Sequence, residues 1–174
     1  MTRSLAIATN HATYVAFKYP GFDVFFQEAI PILSNSLTAI APKKLNRVVY
    51  RYENEVGLGR DERGELPIHR LFPGIFPNVF TTGGQASGIK VINSSCEQSW
   101  EDVGFKGVRG FQANTEDSGV QTVFRITIFG AVEDVTVADL DKAVGSAHQV
   151  GESLFEDMIS SEFREFIGSS KGEL

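Results

Sequence analysis

The chain of 174 residues lacks several features that mark whole classes of protein. No apolar run approaches the roughly 20 residues of a membrane-spanning helix, so no membrane partner is predicted. The N-terminal segment "MTRSLAIATN" lacks the long apolar run of a secretory signal. The single cysteine, Cys96, has no partner for an internal disulfide and fits a reducing compartment. These absences predict a soluble, cytoplasmic protein.

Metal and nucleotide motifs are also missing. The three histidines, His11, His69 and His148, show no metal-ligand spacing, so no metal is predicted. The stretch "TTGGQASGIKV" has glycines and a lysine, but a phosphate loop needs Gly-Lys followed by Ser or Thr at the start of a helix. Here β-prone residues follow, and the pattern predicts a hairpin turn and no cofactor. Its glycines, Gly83 and Gly84, allow close approach and are candidates for binding another chain.

No pattern in the sequence indicates catalysis. No serine, cysteine or threonine occurs in a nucleophile-elbow motif. Glu53 and Glu55 share a strand face with Arg51, and we interpret them as a surface ion-pair ladder and not as an acid–base pair.

The net charge of −6 is unevenly distributed. Residues 133–174 hold ten acids and three bases, or −7, and residues 1–132 hold twelve acids and thirteen bases, or +1. Because nucleic-acid binding depends on Lys and Arg neutralising phosphates, this balance disfavours a nucleic-acid partner. Lys43, Lys44, Arg47 and Arg51 form a local basic patch, which we interpret as a solvated strand entry. Arg51 is also a candidate binding residue.

Hydrophobic periodicity predicts the elements. "SLAIATNHATYVAFKYP" is typical of two short strands around a turn. The segment from Phe22 to Ile40 has helical spacing, with Pro42 beyond its end and Pro31 predicting a kink or a break. "NRVVYRYENEV" alternates as a strand with one core face. Prolines allow only short turns in "LPIHRLFPGIFPNV". A hairpin over 79–95, an irregular stretch to Glu116 and a strand, "VQTVFRITIFGAV", follow.

The last segment carries one apolar stripe at helical spacing, with Thr136 or Asp139 as N-cap and an end near Gly168. A continuous helix there would be about 40 Å long. The order of elements predicts an α+β fold, with a mainly antiparallel sheet, one mid-chain helix and a long C-terminal helix packed on it. We expect residues 1–174 to form a single domain.

Four polar side chains are candidates for binding at the sheet–helix interface. Tyr50, Tyr52 and Asn54 are on the core face of one strand, where a buried amide must find a partner or cost of order 1–3 kcal/mol. His148 lies beside the apolar stripe of the last helix. It is either a hydrogen-bonded residue at the core edge or a contact with a ligand or partner.

Three segments carry a family resemblance: "YPGFDVFFQEAIPIL", "RVVYRYENEV" and "LDKAVGSAHQVGESLFEDMISSEFREFIG". Through these three segments the chain resembles the "sporadically distributed" prokaryotic family of unknown function. The matching positions are Tyr19, Pro20, Gly21, Phe22, Arg47, Arg51, Tyr52, Asn54, Leu140, Asp141, Ala147, His148, Phe155 and Glu156. The pair Ala147-His148 lies further from Leu140-Asp141 than in the family pattern. None of these elements is a catalytic signature.

The resemblance implies a partner. Family members usually carry further strands before the segment that begins this chain, so an unpaired sheet edge is expected here. We therefore expect the N-terminal strands to pair with another copy or another subunit. The favoured function is a non-catalytic protein–protein interaction or assembly module. The alternative is a small-ligand-binding protein or an enzyme, with Tyr50, Tyr52, Asn54 and His148 in one pocket.

Overall fold

A four-stranded antiparallel sheet forms the centre of the molecule. The fold is that of a computed structural model, which describes residues 3–8, 11–17, 21–60, 62, 64, 66–75, 93–102, 104–117 and 122–169. The sheet has the strand order β3-β6-β5-β4, with β3 over Leu45–Leu58, β4 over Asn93–Asp102, β5 over Phe105–Asp117 and β6 over Thr122–Val135. Helices pack on one face of it, which confirms the predicted α+β class and its antiparallel sheet.

The N-terminal strands form a separate two-stranded sheet. Strand β1, Arg3–Ile7, pairs antiparallel with β2, Ala12–Ala16. Helix α1 follows, Phe22–Ile40, and it begins after Gly21, whose φ of 94° favours glycine. The helix is continuous through Pro31, so the predicted alternative of a break there is wrong; the proline is exposed. Helix α1 ends at Ala41, whose left-handed backbone lets its N–H donate to the Leu37 carbonyl.

Residue alternation divides the two faces of the main sheet. In β3, Val48, Tyr50 and Val56 are buried, whereas the residues of opposite parity from Arg47 to Gly57 point to the open face. Tyr50 pairs with Gly130, and the residues beside Tyr50 pair with β6 in the same register, so the two faces continue across β6. The predicted strand with one core face is therefore confirmed.

The stretch between 93 and 117 departs from the prediction. The expected irregular stretch up to Glu116 is wrong, because all of β4 pairs with residues 105–114 of β5 and forms a hairpin with it. The hairpin predicted over 79–95 lies mostly outside the described residues. The short helical turns expected in the proline-containing segment are confirmed as α2, Ile68–Leu71, and a 3₁₀ turn over Pro73–Ile75.

The C-terminal segment forms two helices and not one. Helix α3 spans Leu140–Met158 and α4 spans Ser161–Ser169. The break occurs because Ile159 is extended, with ψ 148°, and because the Ser160 hydroxyl accepts a hydrogen bond from the Phe163 N–H at 3.1 Å. The long helix α3 lies on the sheet, as predicted. Its backbone at Ala147 touches Gly130 so closely that a Cβ added there would lie 1.9 Å from the Ala147 oxygen.

Two hydrophobic clusters fill the space between sheet and helices. One surrounds Phe72, Phe124 and Phe163, all fully buried, under α2 and α4. The other surrounds Tyr50, Val132 and Val144, and aromatic side chains from the first turns of α1 pack against it. The second cluster includes Tyr50, one of the predicted binding residues, and Tyr52 packs against it.

Candidate functional site

His148 lies inside an aromatic cluster built by three elements. Its ring stacks on Phe22 of α1, with centroids 3.6 Å apart and planes 15° apart. The buried ring of Tyr50 in β3 meets it edge-on, with centroids 5.0 Å apart. Phe22 and Phe25 each also contact Tyr50 edge-on. The imidazole therefore joins α1, α3 and β3 through ring packing.

The electrostatic environment of His148 favours the neutral ring. Burial lowers the pKa of His148, and the carboxylates of Glu152 and Asp23 oppose this shift. The nearer carboxylate oxygen, on Glu152, is 4.0 Å from Nδ1. A neutral imidazole that stacks on Phe22 and meets Tyr50 edge-on is suited to holding α1 on α3.

Tyr52 and Asn54 extend the same face of β3. The Tyr52 hydroxyl donates to the Gly151 carbonyl at 3.4 Å, and its ring meets Phe155 edge-on with centroids 6.0 Å apart. The Nδ2 group of Asn54 is buried and has no hydrogen-bond partner. Tyr50, Tyr52 and His148 thus form a continuous ring cluster, and Asn54 follows on the same strand face with an unsatisfied donor.

The remaining predicted binding residues lie elsewhere. Arg51 is exposed on the open face of β3, where its Nη2 is 3.7 Å from Glu53. Gly83 and Gly84 lie outside the described residues. In the basic patch, Lys44 is paired with Asp134 at 2.8 Å and Arg47 with Glu133 at 2.9 Å. These pairs offset much of the positive charge that a phosphate backbone would need.

Carboxylates on the open face of the sheet converge on Arg125. Its guanidinium contacts Glu55 at 2.6 Å, Glu116 at 3.3 Å and Glu53 at 3.4 Å. Glu53 also accepts a hydrogen bond from Thr127. Glu53 and Glu55 therefore belong to a surface ion-pair ladder, as the sequence predicts, but its centre is Arg125 on the neighbouring strand. Cross-strand register, which single-strand alternation does not reveal, explains why Arg125 was missed.

The N-terminal hairpin carries a network that the sequence did not predict. Arg3 Nε lies 2.7 Å from the Glu28 carboxylate, and the Tyr14 hydroxyl donates to the same oxygen at 3.0 Å. The hydrogen bond from Arg3 lowers the pKa of Glu28, and burial raises the pKa of Tyr14. With Ile32, these three residues line a surface cavity of about 330 Å³. The network fastens the hairpin to α1.

The hairpin also exposes apolar side chains on both of its faces. Leu5 is 43% exposed, Ile7 52%, Val15 38% and Phe17 68%. These four residues, which we call the hairpin surface, are four of the seven large hydrophobic residues that stand exposed in the described part of the chain. Alternation places Leu5 and Ile7 on the side of Arg3 and Tyr14, which faces α1, and Val15 on the opposite side. Apolar runs in both strands were the available sequence signal.

The two surface cavities described lie away from Asn54 and His148. A second surface cavity, of about 280 Å³, is lined by polar residues of β4 and β5, such as Asn93, Ser95 and Asn114. Neither it nor the cavity at Arg3 includes Asn54 or His148. In the part of the chain that the structure describes, no three His, Cys, Asp or Glu side chains group as metal ligands, and no helix has the length and apolarity to cross a bilayer.

Comparison with known proteins adds no assignment. No protein-family model matches the sequence, and no curated protein or solved structure is significantly similar to it. The resemblance to the sporadically distributed family therefore stays a prediction.

Proposed function

We propose that this protein is a non-catalytic interaction module that assembles with protein through the hairpin surface. The observation that carries this proposal is the exposure of Leu5, Ile7, Val15 and Phe17 on a hairpin of only two strands. Single exposed apolar residues are ordinary, but a group of them on one element marks a contact surface. The proposal agrees with the family resemblance, which we retain as a proposal as well.

The hairpin's own support is limited. A two-stranded sheet is marginally stable alone and needs a further layer or further strands. Helix α1 supplies that layer beneath Tyr14, through the ring of Phe25 at 5.6 Å and the carboxylate of Glu28. Leu5 and Ile7 stay half exposed on this same side. A partner that covered them would complete the layer.

The chemistry at His148 supports a structural role for that residue. A general base needs its nitrogen within reach of a substrate proton. Here one face of the imidazole is covered by Phe22, and Tyr50 meets it edge-on. The exposed thiol of Cys96 supports a reducing, cytoplasmic setting for the module.

Co-purification from the native cell tests the proposal. The double variant Ile7→Glu/Phe17→Glu places charge in the hairpin surface, and Ile40→Glu/Val49→Glu adds the same charge at exposed apolar positions elsewhere. We expect the first variant to lose the associated protein, including further copies of the chain, and the control to keep it. Identical association of both variants, as measured by mass spectrometry and light scattering, would refute the proposal.

A small-ligand function is the second candidate, and the buried Nδ2 of Asn54 favours it. A donor without an acceptor beside a row of rings suits a planar ligand that offers an oxygen. Native mass spectrometry of the purified protein and of Asn54→Leu, which lacks the donor, tests this function. A ligand mass present in the wild type and lost in the variant supports it, whereas the same spectrum for both contradicts it.

A further inference from the structure

We propose that the partner of the hairpin surface is a second copy of this chain, joined by antiparallel pairing of the two β1 strands across a two-fold axis. The inference rests on the proposed function and specifies its partner and register. Within the described residues, no strand pairs with the outer side of β1. Unpaired edges of this kind are templates for a further strand.

The hydrogen-bond pattern of the hairpin shows which main-chain groups of β1 point toward its outer edge. The Ala8 N–H donates to the His11 carbonyl at 2.8 Å, at the end of the hairpin. Hydrogen-bonded and non-hydrogen-bonded pairs alternate along an antiparallel ladder. The pairs Ile7↔Ala12, Leu5↔Tyr14 and Arg3↔Ala16 are therefore non-hydrogen-bonded. In β1 the N–H and C=O groups of Arg3, Leu5 and Ile7 consequently point outward, away from β2.

These outward groups are compatible with two-fold symmetry. When two β1 strands run antiparallel with Leu5 opposite Leu5, each Arg3 faces the Ile7 of the other copy. All three facing pairs then bring outward groups together, and each pair exchanges two main-chain hydrogen bonds. The product is a four-stranded sheet with the order β2-β1-β1-β2. An isologous contact of this kind closes as a dimer and leaves no β1 edge open.

The apolar side chains support the same arrangement. Strand β2 is the one seated on α1, through Tyr14 and Phe25, so β1 lies at the outer side of the hairpin. Leu5 and Ile7 point to the side of α1 but remain 43% and 52% exposed. The second copy would bring its own Leu5 and Ile7 beside them and bury both sets in one row between the two α1 helices.

Charge distinguishes this edge from both edges of the main sheet. The only charged residue of β1 is Arg3, and Glu28 neutralises it at 2.7 Å. The edge strand β4 carries Glu97, Glu101 and Asp102, and acids of two copies would repel each other there. The edge strand β3 carries the charged side chains of Arg47, Arg51, Glu53 and Glu55. Since β1 has no net charge to repel an identical strand, a second copy is its best-fitting occupant.

Site-directed charge tests the pairing. Wild-type protein should show twice the mass of one chain in size-exclusion chromatography with light scattering. Leu5→Lys places two ammonium groups face to face at the axis, and we expect its dissociation constant to rise at least about tenfold. Ala6→Lys adds the same charge to the same strand on the side facing away from α1, and it should stay dimeric. Circular dichroism of both variants separates loss of pairing from loss of folding.

Disulfide trapping tests the register without destabilising the hairpin. In a Cys96→Ser background, Leu5→Cys brings two thiols opposite each other with Cα atoms about 5.5 Å apart, within the range that a disulfide spans. Val15→Cys, in the same background, places them three strand spacings apart, about 14 Å. We expect rapid cross-linking of the first protein on mild oxidation and none of the second.

The outcomes separate this inference from the proposed function. A wild-type protein that is monomeric at all concentrations, or a dimer that neither Leu5→Lys nor Leu5→Cys affects, overturns the β1 pairing. If Ile7→Glu/Phe17→Glu still removes an associated protein in either case, the interaction function survives with another partner or another contact. If it removes nothing, both proposals fail.

Discussion

Replacing Gly130 by alanine tests how closely α3 packs on the sheet. A Cβ on Gly130 would lie 1.9 Å from the Ala147 oxygen and 2.8 Å from its carbonyl carbon. Ordinary contact begins at 3.4 Å, so a gap of 1.5 Å must open. The blocking atoms are backbone in the middle of a 19-residue helix and cannot move alone. The helix must shift as a unit and loosen the buried contacts of Ala143 and Val144.

The cost follows from these distances. Overpacking a close-packed interior costs about 1–3 kcal/mol and sometimes more, and a clash with backbone belongs at the upper end. Replacing glycine in a strand interior returns about 0.5–1 kcal/mol. We therefore expect Gly130→Ala to lower the free energy of unfolding by about 2–3 kcal/mol, measured by urea denaturation.

Gly145→Ala is the matched control. Gly145 lies in the interior of the same helix, and a Cβ there meets no atom within 4 Å. The same substitution should raise the free energy of unfolding by about 0.8–1 kcal/mol through helix propensity alone. A Gly130→Ala protein as stable as the wild type would refute the close helix–sheet contact, whatever the control does.

Three further predictions concern other contacts. Because burial lowers the pKa of His148, the unfolded chain binds a proton on this residue at a higher pH than the folded protein does. The wild type should therefore lose stability as the pH falls below about 6.5. His148→Phe should lose less stability over the same range, and an equal loss in both proteins contradicts this prediction. Phe72→Ala should lower the free energy of unfolding by about 3–5 kcal/mol in urea, because the fully buried Phe72 ring packs on Phe124 and Phe163. Arg125→Met should lower the urea midpoint of unfolding slightly at low salt and leave it unchanged in about 1 M NaCl, because salt screens the attraction to the exposed carboxylates of Glu55 and Glu116. An effect that does not depend on salt speaks against the ion-pair ladder.

Periodicity predicted the elements that have one buried side. Strand β3 and helices α1 and α3 each present apolar residues at the expected spacing. Strand β3 and helix α3 bury that side, whereas α1 fully buries only Ala29 and Leu37. Strand β4 lacks this signal, because its sequence, NSSCEQSWED, is polar and nearly all of it is exposed. It is a strand because β5 supplies its hydrogen bonds, and pairing of that kind overrides low β-propensity.

The break between α3 and α4 shows a different limit. The apolar stripe continues across it because Met158, Ile159 and Phe163 enter the same cluster. Periodicity alone therefore cannot distinguish one helix from two that share a core. The serine before the second helix was the available signal, since Ser160 caps the Phe163 N–H.

The sequence located part of the aromatic cluster and none of the hairpin network. Tyr50 and Tyr52 were found because they share a strand face, and His148 because it borders the stripe of α3. The stacking of Phe22 on His148 joins residues far apart in sequence, as does the pairing of Arg3 with Glu28. Contacts of this kind depend on how α1 is placed, and no local pattern encodes that placement.

Helix α1 contacts both the N-terminal hairpin and the main sheet, but it buries few of its own residues. Only Ala29 and Leu37 are buried along its 19 residues, although its first turns reach both His148 and the hairpin. The four-stranded sheet, in contrast, has helices and two aromatic clusters to cover its inner face. Burial of apolar area is the main term that stabilises a fold, so the sheet and the helices that cover it hold most of the stabilising contacts. The hairpin leaves apolar area in water, and a second β1 strand would cover the part of it at Leu5 and Ile7.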